Sequence, residues 1–288
     1  MEGLRSLLLE SLSRYGMPFP VDKKVCSSWT NELPRNGSTI IFTSCMYQIE
    51  PVVPILSKFG PYTGILRGVA SLAKMVKPPK EELERAYRIL NNIVKAIKRK
   101  GVDLAYLYEE EPYSGAVLLE MGMLDEFAEH ARKVSEMLKE RGITRVITVD
   151  PHTHNALKRY EEFVKFDVEV VSYLEVIDPS KKVEGGFTIH DSCLYSRFLN
   201  LREKYRSLIL NSGISLKEDF FVTGRETSTC CGGPIGGVDP KLSEEIAKRR
   251  ASELNRLSDK LLVVCPICYV TLSPHFKGEV KDVAEVIL

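Results

Sequence analysis

The feature that most constrains this chain's fold is an internal repeat. Ser44-Cys45-Met46-Tyr47 returns as Ser192-Cys193-Leu194-Tyr195, and the run from Asp150 to Leu157 (DPHTHNAL) returns as Cys265 to Leu272 (CPICYVTL). A third pair, Glu169-Val170 with Glu175-Val176-Ile177, returns as Glu279-Val280 with Glu285-Val286-Ile287. Three matches in the same order imply that one folding unit occurs twice. Within each copy, short β-branched runs alternate with stretches of helical periodicity. Expected strands are Thr39–Thr43, Leu104–Tyr108, Arg145–Val149 and Glu169–Ser172, then Phe187–His190, Asp219–Val222 and Leu261–Val264. Helices are expected over Glu81–Lys100, Leu124–Glu140 and Leu242–Leu257. Nearly continuous apolar strands between helices predict parallel sheets covered on both faces. The fold class is therefore α/β: two tandem, pseudo-symmetric, doubly wound domains plus an N-terminal helix. The boundaries fall at 1–36 for the helix and linker, 37–180 for the first copy and 181–288 for the second.

The copies differ in what they can do. The first has Tyr113-Ser114-Gly115 where the second has Cys230-Cys231-Gly232, and Asp150 and Thr153 where the second has Cys265 and Cys268. Of five cysteine positions, only Cys45 survives in the first. The chemistry belongs to the second copy.

Lys plus Arg total 40 against 39 Asp plus Glu, so the near-neutral chain carries no electrostatic footprint for nucleic acid. No apolar run reaches the roughly 18 residues that span a bilayer. The opening MEGLRSLLLESLSRYG aligns Leu4, Leu8, Leu12 and Tyr15 on one helical face and lacks a cleavage site, which suits a helix docked on its own domain. A cytoplasmic location is expected. Seven cysteines, an odd number without a secretory leader, fit a metal or redox site better than a disulfide framework.

Cys193, Cys230, Cys231, Cys265 and Cys268 each lie beyond the carboxyl end of an expected strand, the edge at which α/β sheets gather their sites. Cys265-Pro266-Ile267-Cys268 should open a helix, whose N-terminal N–H groups and dipole favour thiolates, with Pro266 in a first turn that needs no N–H. Gly232-Gly233 lets the backbone approach sulfur. Five thiolates exceed the four ligands of a tetrahedral zinc site, and adjacent cysteines suit a larger or distorted cluster. Zinc and redox-active thiols remain the alternatives.

HDSCLYSR, TCCGGPIGG and VVCPICYVTL together resemble the cysteine-rich CCG domain of the heterodisulfide reductase family. That family includes the iron–sulfur subunits of lactate, glycolate and glycerol-3-phosphate oxidation systems. MPFPVDKKVCSSWTNELP and GMLDEFAEHARKV extend the resemblance through the first copy. It implies a non-cubane [4Fe–4S] cluster held by Cys193, Cys230, Cys231, Cys265 and Cys268. An oxidoreductase subunit would then pass electrons to or from a disulfide, a quinone or a partner. The chain has no ferredoxin-type cysteine run, so a ferredoxin-type iron–sulfur subunit or a flavoprotein is the implied partner. Attachment to a membrane would be peripheral, through such partners.

His190, Asp191, Gly232, Gly233 and Cys45 are candidates to lie against the cluster, and Arg197 and Arg225 could balance thiolate charge. Cys45 reads equally as a small buried hydrophobe. Cys26 has no partner by spacing and is expected to be inert. Asp150 reads as a helix cap, with His152, His154, His130 and His275 on the surface. A zinc-binding structural subunit and a cluster-free dithiol oxidoreductase are the rival functions.

Overall fold

The computed structural model describes residues 2–19, 21–52 and 78–288, in two compact units. The first comprises residues up to 91 together with 102–172, and the second 92–101 together with 173–288.

The first unit is built on a parallel sheet of β1 (Thr39–Phe42), β2 (Arg145–Thr148) and β3 (Glu169–Ser172), in the order β1-β2-β3. Thr39 stands opposite Arg145, and Arg145 opposite Glu169. Ile40, Ile41, Phe42, Val146 and Ile147 are fully buried, so both faces of the central strands are covered. Each such side chain contributes about 1.5–3 kcal/mol of apolar burial. The expected strand Leu104–Tyr108 contributes only a bridge, Ala105 to Ile40. Beyond it the Tyr106 N–H turns to the Pro34 carbonyl, and Tyr108 enters a one-turn helix with φ +56°.

The second unit has four parallel strands, β4 (Gly185–His190), β5 (Ile214–Leu216), β6 (Lys260–Val263) and β7 (Glu279–Asp282), in the order β5-β4-β6-β7. With the Ala105 bridge in the place of β5, the strand order of the first unit is the same. The repeat in sequence is thus a repeat in topology. Asp219–Val222 is not a strand. Asp219 accepts hydrogen bonds from the Phe221 and Val222 N–H groups and caps a helical turn, Phe220–Thr223, on which Phe220 and Phe221 are exposed. Such a side chain offers the backbone an alternative to a ladder.

Among the described residues the three longest helices are Lys80–Arg99, Leu124–Glu140 and Pro240–Asn255, each beginning within two residues of the expected start, the last capped by Asp239 with Pro240 in its first turn. The N-terminal helix Glu2–Tyr15 buries Leu8 and half-buries Leu12 and Tyr15, while Arg5 pairs with Glu126. Leu4 lies outside the described side chains. No helix among the described residues is long and apolar enough to cross a membrane.

Candidate metal centre

In the second unit, β4 and β6 are neighbours at the centre of the sheet, and from them the strand order runs outward in opposite directions. This is a topological switch point, where the crevice beyond the carboxyl ends of the strands is free for a site. His190 and Val263 face each other at the ends of these two strands. Cys193 follows the first and begins a single π-helical turn, Leu194–Phe198. Cys265 follows the second as the N-cap of the helix Pro266–Leu272, and Cys268 stands in its first turn.

All five cysteines meet there. The Cys230 thiol is close enough to those of Cys193 and Cys231, and the Cys268 thiol to those of Cys231 and Cys265, for each to shift the other's ionisation. Sulfur therefore runs unbroken from Cys193 through Cys230, Cys231 and Cys268 to Cys265. Cys231, Cys265 and Cys268 are buried, whereas Cys193 and Cys230 are half-buried and form the more open end. The glycines act as expected. The Gly232 N–H lies 3.3 Å from Cys230 Sγ, and the Gly233 N–H 3.4 Å from Cys231 Sγ. A Cβ on Gly233 would stand 2.5 Å from Ile267 Cγ2, and Gly232 has φ +89°.

The thiols cannot all ionise together. Hydrogen bonding to Cys230, reinforced by burial, pushes the Cys193 thiol well up. Cys231 rises for the same two reasons, and Cys268 through its interactions with Cys231 and Cys265 together with burial. Cys230, accepting bonds from Cys193, Cys231 and the Gly232 N–H, is pulled down and takes the thiolate. Like charges this close disfavour one another. A cationic centre would relieve that competition, and five soft sulfur donors select thiophilic metals, with more ligands than one zinc takes.

The expected flanking residues divide. His190 is buried, and a ring nitrogen lies within 4.8 Å of the Cys231 and Cys268 sulfurs. Burial, then the neighbouring Arg250, pushes its pKa down to about 3, so the ring is neutral. Asp191 is committed elsewhere. Its Oδ1 accepts from Tyr205 OH at 2.5 Å and Arg206 Nε at 3.2 Å, and its Oδ2 from Arg206 Nη2 at 2.7 Å. Arg197 donates to the Ser228 carbonyl at 2.9 Å and holds the loop ahead of Cys230, while Arg225 bonds Asn200. Sequence reasoning missed Arg250, buried on the Pro240–Asn255 helix, with Nε 3.1 Å from His190 Nδ1. Its place in a Lys-Arg-Arg run gives no sign of burial.

In the first unit the corresponding positions carry hydroxyls and carboxylates. Ser44 and Ser114 hydroxyls bond each other at 2.9 Å, Tyr160 OH donates to the Ser114 carbonyl, and Asp150 caps the helix Pro151–Lys158. Spacing offers Cys26 no partner, but the structure supplies one. Cys26 and Cys45 form a disulfide, so Cys45 is not a free thiol and Cys26 is not inert. His152 and His154 are buried rather than on the surface, because Glu120 and Thr148 satisfy their Nδ1 atoms at 2.6 and 2.8 Å. His130 is half-buried, with Nε2 2.6 Å from the Tyr113 carbonyl, and His275 is half-buried.

The chain is 24% identical over 284 residues to the probable iron–sulfur-binding oxidoreductase FadF of Bacillus subtilis, covering 94% of this chain and 37% of that one. It is 26% identical to the EtfAB:quinone oxidoreductase of Syntrophomonas wolfei, covering 71% of this chain and 32% of the relative. It is 27% identical to a probable membrane-anchored ferredoxin of Chromohalobacter salexigens, covering 70% and 33%. The chain thus spans about a third of the length of each of these relatives. Residues 187–273, which hold all five clustered cysteines, match the family model described as CCG, a cysteine-rich domain.

Proposed function

We propose that this chain is the iron–sulfur subunit of an oxidoreductase, with one non-cubane [4Fe–4S] cluster held by Cys193, Cys230, Cys231, Cys265 and Cys268. The observation that carries this reading is the unbroken run of five thiols at the switch point of the second sheet. The fit is supported by a donor left over. Arg250 Nη2 is buried and has no hydrogen-bond partner, as expected of a site shaped around an anionic group.

A cluster so bound would take up and return single electrons. The protein's own part is distinct. Cys193 and Cys230 lie at the half-buried end, where a partner or small acceptor could approach. The Gly232 and Gly233 N–H groups donate to sulfur, which favours added negative charge. The remaining side chains exclude water from Cys231, Cys265 and Cys268.

The names of the relatives support a choice of donors and acceptors. One is named as a quinone oxidoreductase and another as a ferredoxin, and the resemblance to heterodisulfide reductases adds a disulfide. We assign the donor to a flavoprotein or ferredoxin-type iron–sulfur subunit on the cytoplasmic side, and the acceptor to a quinone or disulfide. Protein purified without oxygen should show a broad visible absorption that bleaches with dithionite and returns when a soluble quinone or a disulfide is added. Colourless protein, or colour that no such acceptor restores, would contradict the proposed role.

A further inference from the structure

The Arg250 side chain is 1% exposed, among the largest fully buried side chains of the protein. Its donors can be accounted for one by one. Nε donates to His190 Nδ1 at 3.1 Å. Nη1 donates to the Val222 carbonyl at 2.8 Å and lies 3.3 Å from Glu253 Oε2. Nη2 has no partner. Glu253, the one carboxylate within hydrogen-bonding distance among the described residues, is more exposed and also accepts from Thr229 and Arg249 at 3.2 Å each. A buried guanidinium with so weak a counter-ion is costly unless another anion stands beside it. Negative charge on Asp191, and then on Cys268, would favour its charged form, and Asp191 is already paired with Arg206 at 2.7 Å.

The bond to His190 has a chemical consequence. A guanidinium only donates, so Nδ1 must accept, and the ring proton sits on Nε2. His190 is thereby held as an Nε2–H donor, and one of its ring nitrogens lies within 4.8 Å of the Cys231 and Cys268 sulfurs.

We infer that Arg250 is a positioning residue of the sulfur site. It fixes His190 as an N–H donor and places a permanent positive charge where the thiolate-bound cluster accumulates negative charge, and so raises the cluster's reduction potential. This rests on the iron–sulfur reading above. Reduction adds one electron to a buried anion, and a nearby cation and N–H donors stabilise the reduced form more than the oxidised one.

The test is a redox titration, followed by visible and electron paramagnetic resonance spectra, of wild type, Arg250→Gln and Arg250→Lys purified without oxygen. Iron content and circular dichroism are measured alongside. Arg250→Gln keeps a donor for His190 but no charge. It should shift the one-electron equilibrium against reduction at least tenfold, about 59 mV. Arg250→Lys should recover most of that shift. Loss of the cluster from a folded Arg250→Gln, with retention in Arg250→Lys, would support the same conclusion through loading. If Arg250→Gln fails to fold, Arg250→Lys decides alone. It keeps the charge but loses the Nε–H bond to His190, so its potential should stay within about 59 mV of wild type while its spectra change. A fully loaded Arg250→Lys with wild-type spectra, or with the full tenfold shift despite its charge, would overturn the inference. So would an unchanged potential in a fully loaded Arg250→Gln. Wild-type protein without iron would instead overturn the underlying reading.

Discussion

Asp150 and Cys265 begin equivalent helices of the two units from the same extended backbone, yet only Asp150 caps its helix. Their φ and ψ are −141° and 158° at Asp150, and −151° and 129° at Cys265. The Asp150 carboxylate accepts from the His152 and Thr153 N–H groups at 2.9 Å, whereas the Cys265 side chain makes no capping bond. One copy has given the position to helix stability, and the other has left it to sulfur chemistry.

Exchanging the two jobs should separate them. Cys265→Ser introduces a good N-cap, so the metal-free protein should be as stable as its parent or more so, by up to about 1 kcal/mol. Iron content should nonetheless fall sharply. Asp150→Ala should cost about 1 kcal/mol and leave iron unaffected. Urea unfolding of metal-free samples, with iron analysis of anaerobic ones, checks all four outcomes. Full iron in Cys265→Ser would remove that residue from the ligand set.

The Cys26–Cys45 disulfide spans 19 residues of sequence. Its loss through Cys26→Ser should lower stability by about 3 kcal/mol through the entropy of the unfolded chain. The CCG domain should still load metal. Denaturation with and without a reductant, and iron content of the variant, provide the comparison. A reductant-insensitive transition would argue against the bridge.

Glu111 lies wholly within the first unit, where its carboxylate accepts from the Thr43 N–H at 2.7 Å and hydroxyl at 2.6 Å. Burial lifts its pKa from the ordinary 4.5 to about 8 despite those bonds. Between these values the native state keeps a proton that the unfolded chain has released. Its contribution to stability is complete below pH 4.5 and is lost as pH rises to 8, with a slope of up to about 1.4 kcal/mol per pH unit. Glu111→Gln has no such slope. Unfolding free energies of both proteins from pH 5 to 9 should therefore converge at low pH and separate as it rises. Parallel curves would show that Glu111 is ionised in the native state.

Gly233→Ala should be poorly tolerated, since its Cβ would lie 2.5 Å from Ile267 Cγ2 and 3.0 Å from Thr271 Oγ1. Forcing the loop outward moves the Gly233 N–H away from Cys231 Sγ. Stability should drop by about 1–3 kcal/mol, and iron loading should drop with it. Gly237→Ala, with nothing within 4 Å of the added carbon, is the control. Equal behaviour of the two variants would contradict this role for Gly233.

Much of the fold is legible in the sequence because β1, β2 and β6 are short, nearly unbroken apolar runs. Cys193, Cys265 and Cys268 are legible because they follow strands in a recognisable repeat, and Cys230 and Cys231 because their Cys-Cys-Gly stands where the first copy has Tyr113-Ser114-Gly115, although the strand expected before them is a helical turn. β5 escapes notice, since Ile214–Leu216 is three residues long and flanked by Asn211, Ser212, Lys217 and Glu218. Phe220 and Phe221 mimic a strand until Asp219 takes their backbone donors. Arg250 is hidden for a different reason. Charged residues ordinarily mark a solvated helix face, and only the three-dimensional approach of His190 and Cys268 makes this one an interior group. The Cys26–Cys45 pairing likewise depends on chain path rather than on spacing.

The central claim is the identity of what the five thiolates hold. The direct measurement is iron, acid-labile sulfide and zinc per chain in protein purified without oxygen, compared with its Cys230→Ser variant. About four irons and four sulfides, lost in the variant, are the expected result. One zinc per chain without sulfide would contradict the account and leave a structural metal domain in its place.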